Sequence, residues 1–313
     1  MRGNRVSRTD AVPHTRSVSR PAHPVRRTLV PLAAAALGLS LVQAPAAAEA
    51  GEAAFEHYVA LGDSFTAGPL IPPNAPGSDP RCLRSGVNYP RLVADALGVA
   101  EFTDASCSGA VIADLSEPQH EGLTDVPPQY DALTPETDLV SVGISGNDLG
   151  FSEIFVRCAK LSLTNPFGSP CADDYGDTLD DRVEELRGDV AQVYAEVGER
   201  SPDATVLAVG YLQILPESGG CWPTMPVARG DVAYLDALQT SLNTMIAEEA
   251  AAAGAVYVDV LERGHDVCEP AGDRWVEGVV PENTAFPVHP NEAGMAVTAD
   301  RVLDELGVAP ADV

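Results

Sequence analysis

Five short apolar runs recur along the chain with helical stretches between them: HYVAL at 57–61, EFTDAS at 101–106, DLVSVGI at 138–144, ATVLAVG at 204–210 and AVYVDV at 255–260. Four of the five are nearly continuously apolar, as strands covered on both faces should be, and EFTDAS gives the weakest strand signal. Between the runs, NYPRLVADALG at 88–98 opens at an Asn and stops at a Gly, a helix with both ends marked. Leu179, Val183, Leu186, Val190, Val193, Tyr194 and Val197 share one face of a second helix, and two more are predicted over 234–254 and 291–306. Strand and helix alternate throughout. The predicted fold class is therefore α/β: three layers, with a central five-stranded parallel sheet between helices, and with ligands bound beyond the carboxyl ends of its strands.

Three segments rich in Pro, Gly and Cys, at 69–87, 158–177 and 211–232, read as long loops on that edge, where long loops are usually functional. No internal repeat or Gly/Ser linker divides residues 51–313, which are expected to form one domain.

The first fifty residues follow a different pattern. Seven arginines precede the apolar run TLVPLAAAALGLSLVQ at 28–43, and the small residues APAAAEA follow at 44–50. That order is the order of a secretory signal, with removal expected near residues 46–50 and a secreted, extracellular product. Arg26 and Arg27 leave twin-arginine export open, although a basic pair is ordinary there and the general secretory route is the simpler reading. The apolar run is shorter than the ~20 residues of a bilayer-spanning helix, so no stable membrane anchor is expected.

Setting residues 1–50 aside leaves 12 basic against 44 acidic side chains, a net charge of −32. So acidic a surface repels nucleic acid and disfavours polyanionic substrates, and no nucleic-acid partner is expected. It also keeps the chain soluble, and a monomer is expected. The six cysteines, all beyond residue 50, suit three disulfides in an exported chain, and none stands in the C-x-x-C spacing of a zinc site. Fifteen pairings are possible. The sequential one, Cys82–Cys107, Cys158–Cys171 and Cys221–Cys268, closes modest loops and is the one expected.

Candidate chemistry begins where the first strand ends, in GDS at 62–64. Ser64 would emerge at the carboxyl edge of the sheet, beside the N–H groups of the next turn. A lone Gly-Asp-Ser is more often a helix cap than a nucleophile, and the spacing here is not G-x-S-x-G. Three other segments change its weight. SCSGA at 106–110 supplies Gly109, whose N–H no side chain blocks, and GISGNDLGF at 143–151 supplies Asn147, either a turn residue or an amide donor to an oxyanion. FPVHPNEAG at 286–294 puts His289 on a Pro-flanked loop before the last helix, where a neutral imidazole could take a serine proton. His57, His120 and His265 complete no such pattern.

Taken together, GDS at 62–64, Gly109, GND at 146–148 and HPN at 289–291 resemble, in order and spacing, the four blocks of the GDSL or SGNH hydrolases, most closely their exported bacterial lipases and esterases. The resemblance implies a flavodoxin-like fold, three sequential disulfides, Ser64 as nucleophile and His289 as base. It also implies an oxyanion hole built from the N–H groups of Ser64 and Gly109 and the side chain of Asn147. Many members carry an Asp three residues before the His, where this chain has Phe286. The carbonyl of Phe286 is therefore expected to orient His289, as main-chain carbonyls do in similar exported members, with Glu282 as the rival acid.

The expected activity is hydrolysis of a small-molecule or lipid carboxylic ester through an acyl-serine, with no metal or organic cofactor. Pro69, Leu70, Ile71, Phe151, Ile154, Phe155, Leu212, Ile214 and Leu215 either line an acyl groove or belong to the core. A polysaccharide deacetylase is the first alternative, weakened by an aromatic content of only 5% with tryptophan only at Trp222 and Trp275. A phospholipase is the second, and an exported binding protein with a dead site the third.

Overall fold

The computed structural model describes residues 55–121 and 124–308, so the predicted export segment at 1–50 lies outside the described residues. Five strands, β1 (His57–Gly62), β2 (Glu101–Asp104), β5 (Leu139–Gly143), β6 (Thr205–Val209) and β7 (Val256–Val258), form one parallel sheet in the order β2-β1-β5-β6-β7. The predicted apolar runs form these strands. Central β5 is buried at every position, while edge strand β2 alternates exposed and half-buried residues, which is why its run is the least apolar. A separate antiparallel pair, β3 (Gln119–Glu121) with β4 (Thr124–Val126), lies outside this sheet.

Short helices α1 (Ser64–Ala67), α3 (Ala113–Ser116), α4 (Gly146–Leu149) and α6 (Pro170–Tyr175) turn the chain near strand ends and loops. The long helices are α2 (Tyr89–Leu97), α5 (Phe151–Ser162), α7 (Thr178–Arg200), α8 (Val232–Ala253) and α9 (Glu292–Glu305). Asn88 caps α2 by accepting from Arg91 N, and Gly98 ends it in the left-handed region, as the sequence signals predict. Helix α2 packs on α9 and α7 on α8, completing the helical layers that flank the sheet. Fully buried Tyr58, Leu61, Leu139 and Leu207 anchor the sheet to these layers, each worth ~1.5–3 kcal/mol.

The segment at 158–177, expected as a loop, is instead helical towards both ends. Helix α5 runs on to Ser162 and α6 begins at Pro170, so Cys158 is a helical residue. All three disulfides are the sequential ones: Cys82–Cys107, Cys158–Cys171 and Cys221–Cys268. They close spans of 25, 13 and 47 residues, each contributing ~3–4 kcal/mol in a chain-entropy account. Among the described residues, no helix is long and apolar enough to cross a membrane.

The end of β1 is built to release the chain sharply. Gln129 pairs with both backbone groups of Gly62, accepting from its N–H (2.8 Å) and donating to its carbonyl (2.9 Å). A Cβ at Gly62 would stand 2.3 Å from Thr66 Oγ1 and 2.6 Å from the Gly143 carbonyl, so the position admits glycine alone. Asp63 N–H then bonds to the Gly143 carbonyl (3.0 Å), and the next residue is Ser64.

Candidate active site

Ser64 opens α1 immediately beyond the sheet edge, with Asp63 as its cap accepting from Phe65 N. Its Oγ lies 2.7 Å from Nε2 of His289, 225 residues away in sequence. The other imidazole nitrogen, Nδ1, is 2.8 Å from the carbonyl of Pro287. A carbonyl only accepts, so Nδ1 carries the proton and Nε2 turns its lone pair to the serine hydroxyl.

The carbonyl expected in this role was that of Phe286. The structure replaces it with Pro287, because Val288 adopts a left-handed φ of 59° and curls the chain so that the carbonyl two residues back meets the ring. A β-branched residue in that region is strained by ~1–3 kcal/mol. Phe286 instead donates its N–H to the Pro69 carbonyl (3.0 Å) and sets its ring edge-on to the imidazole, with centroids 5.1 Å apart. Phe65 flanks the imidazole at 5.3 Å. Burial between these rings holds His289 below the usual imidazole range, against an upward pull from the Pro287 carbonyl. The rival acid Glu282 pairs with Arg274 (2.9 Å).

The His289 loop is anchored by Glu277, a fully buried carboxylate that sequence reading passed over. Its N–H donates to the His289 carbonyl (2.9 Å). Its carboxylate accepts from the side chains of Asn291 and Asn283 (2.8 Å each) and from the N–H groups of Glu282 (2.8 Å) and Asn283 (3.2 Å). Burial pushes this carboxyl up, but these donors outweigh it and leave the group below its ordinary value.

Asn147 lies on α4 beyond β5 and faces the same cleft as Ser64. One of its two amide hydrogens goes to the Ala110 carbonyl (2.8 Å), which orients the side chain and ties it to the Gly109 turn. Neighbouring Asp148 accepts from Ile112 N (3.0 Å), a second tie to the same turn. Gly109 itself stands outside the cleft lining, and Cys107 joins its segment to β1 by donating to the Gly62 carbonyl (3.0 Å). Among the described residues, the N–H groups of Ser64 and Gly109 donate to no protein acceptor.

The sequence profile of the GDSL-like Lipase/Acylhydrolase family matches residues 60–297, from the end of β1 through the His289 loop into α9. The chain belongs to this family. It is 39% identical over 288 residues to Lipase 2 of Streptomyces coelicolor, covering 90% of this chain and 96% of that protein. Among solved structures it is similar to phospholipase A1 from Streptomyces albidoflavus NA297 (31% identity, TM-score 0.65), over 80% of this chain and 99% of that one. An extracellular lipase from Streptomyces rimosus is similar at 27% identity, with the same TM-score of 0.65 and the same coverage. The protein is thus an ester hydrolase of the lipase/esterase type.

In this GDSL hydrolase the serine opens into a cleft of about 220 Å³ with largely apolar walls. Of the residues weighed as groove or core, Phe151, Phe155 and Ile214 line it. Ile71, Ile154, Leu212 and Leu215 are core, each at most 3% exposed; Pro69 is buried and Leu70 is exposed. Phe65, Leu242 and Val279 complete the apolar wall, and Val156 and Phe286 stand half-exposed at its margin. Phe65, Val156 and Leu242 come from three different helices and Val279 and Phe286 from the loop before α9, so packing brings them together.

Proposed function

We propose that this GDSL hydrolase is an exported enzyme that cleaves carboxylic esters of lipids through an acyl-serine intermediate. The observation that carries the reading is the 2.7 Å approach of Ser64 Oγ to His289 Nε2 on the wall of an apolar cleft. Ser64 attacks the ester carbonyl and His289 takes its proton. The same imidazolium then protonates the leaving alcohol, and water attacks the acyl-enzyme by the reverse path. The N–H groups of Ser64 and Gly109 and the second amide hydrogen of Asn147 receive the oxyanion. At comparable sites one such donor is worth ~3–4 kcal/mol. The Pro287 carbonyl fixes the tautomer without a second negative charge, so the machinery is a dyad. The acyl chain lies along Phe151, Phe155 and Leu242.

A phospholipase is the second reading, favoured by the likeness to the S. albidoflavus phospholipase A1. The net charge of −32 beyond residue 50 sets such an enzyme against anionic head groups and leaves zwitterionic ones open. Export is supported by the basic-apolar-small order of residues 1–50 and by three disulfides, which persist in oxidising compartments. The mature enzyme is then a single domain, monomeric and without a membrane anchor.

The test is a profile of p-nitrophenyl esters from acetyl to palmitoyl, with phosphatidylcholine alongside and Ser64→Ala as control. Turnover of the longer acyl esters is expected, falling about 10⁴-fold or more in the variant. Activity confined to acetyl esters would replace the lipid reading with a deacetylase. N-terminal sequencing of secreted protein should begin close to residue 50.

A further inference from the structure

Ser64 and Asn147 sit on turns after different strands, and a buried polar chain that the proposed chemistry does not use runs between them. Asp63 Oδ1 accepts from Phe65 N (2.8 Å) and Asp63 Oδ2 accepts from the Tyr211 hydroxyl (2.7 Å). The same hydroxyl oxygen accepts from Gly146 N (2.6 Å), and Asn147 is the next residue. We propose that Asp63 and Tyr211 form a positioning relay that locks the oxyanion turn at Gly146–Asn147 to the nucleophile turn at Ser64, so that both are presented to substrate as one body. The proposal rests on the reading of Ser64 and Asn147 given above and extends it to two residues with no part in bond making.

Three features set the relay apart from an ordinary buried network. Its members Asp63, Tyr211 and Gly146 all line the cleft, although Asp63 is only 2% and Tyr211 only 5% exposed. The backbone is strained to complete it: Ser145, just before Gly146, is fully buried at a φ of 109°, with its hydroxyl unpartnered among the described residues. The approach is also tight, since a Cβ at Gly146 would stand 3.0 Å from the Tyr211 oxygen and the tyrosine would have to give by a few tenths of an ångström. Such precision matters because an oxyanion donor works only when held within ~0.5 Å of its productive position.

The relay has a direction set by charge. Ionised, Asp63 can only accept, so Tyr211 must donate to it and turn a lone pair to Gly146 N–H. Protonated, Asp63 can donate to the tyrosine oxygen and compete with that N–H. Burial pushes the Asp63 carboxyl up to about 7, against the pull of its bonds from Tyr211 and Phe65. The other ionisable groups acting with it are Asp148 on α4, which raises it, and Tyr89 on α2. His289, across Ser64, is held down by burial, so its own titration falls below the ordinary ~6.5.

The experiment compares the wild-type enzyme with Tyr211→Phe and Asp63→Asn on a soluble p-nitrophenyl ester, with near-UV circular dichroism and thermal unfolding of each. Tyr211→Phe keeps the ring that packs edge-on to Phe65 and removes only the hydroxyl. The expected result is a fall in kcat of about 10- to 100-fold with KM within about twofold. In kcat/KM, the wild-type acid limb is expected near pH 7. It should shift to higher pH in Tyr211→Phe, which loses a bond favouring the carboxylate, and below pH 6.5 in Asp63→Asn, where only His289 titrates. A folded Tyr211→Phe enzyme with kcat within twofold of wild type, or an acid limb identical in all three proteins, overturns the relay. Labelling of wild-type Ser64 by an organophosphate is the separate check: without it the nucleophile assignment fails, whereas with it a negative result counts against the relay alone.

Discussion

Two buried carboxylates hold the two halves of this site, and they titrate in opposite directions. Asp63, beside Ser64, has two donors and is raised to about 7; Glu277, behind the His289 loop, has four and is lowered. Desolvation acts on both but weighs more heavily on Asp63, where two donors do not offset it, whereas four donors outweigh the milder penalty at Glu277. The difference follows from where each half is built. The Ser64 turn continues β1 and inherits its position from sheet hydrogen bonds, so its carboxylate can remain poorly satisfied. The His289 segment leaves the sheet after β7 and is placed by scattered backbone bonds outside that sheet, such as Phe286 N–H to the Pro69 carbonyl, together with the Glu277 carboxylate. A fully satisfied anion does there what strands do at the other end.

The largest effect expected from breaking this contrast is that of Glu277→Ala, which leaves four buried or half-buried donors without an acceptor. It should cost roughly 3 to 5 kcal/mol in urea unfolding and should cut turnover by more than the unfolded fraction accounts for. Next is removal of Cys221 and Cys268 together. Losing a 47-residue closure should lower stability by about 4 kcal/mol, with hydrolysis failing at a lower urea concentration than the far-UV signal.

The opposite titrations give a third test. A carboxyl raised in the folded state contributes stability below its unfolded value of ~3.9 that is lost as pH rises through about 7, whereas Glu277 contributes above its unfolded value and loses this only in acid. The unfolding free energy of wild type relative to Asp63→Asn should therefore gain roughly 3 to 4 kcal/mol between pH 8 and pH 4. A flat difference would place the Asp63 carboxyl near its ordinary value. The smallest effect is that of Val288→Gly. Relief of the left-handed strain and the greater freedom of glycine nearly cancel, so stability should stay within about 1 kcal/mol, while kcat drops several-fold as the Pro287 carbonyl loses its hold on the imidazole.

The sheet was legible because parallel strands covered on both faces must be apolar throughout, and the four motif blocks were legible because each sits next to a strand or helix end. Helix α5 was not, for a physical reason. Its fully buried residues Ile154, Cys158 and Ser162 form a stripe one side chain wide, while Phe151, Phe155 and Val156 face the cleft and mimic an apolar loop. Tyr211 could not be found because its hydroxyl meets partners 148 and 65 residues away. Choosing between Phe286 and Pro287 depended on one backbone angle, at a valine whose type argues against it. Glu277 carried no signal at all, since nothing in the neighbouring sequence says that four donors will converge on it.

Helix α5 begins four residues after Asn147, so the cleft wall proposed to take an acyl chain and the amide proposed to polarise its carbonyl belong to one continuous stretch. Reshaping Phe151 or Phe155 to admit bulkier fatty acids would therefore tug on the amide and trade speed for selectivity. Leu242 lines the cleft from helix α8, where the next residue, Asn243, accepts from Tyr211 N and donates to the Tyr211 carbonyl. Reshaping that side of the cleft would reach the amide only through Tyr211, one step further removed.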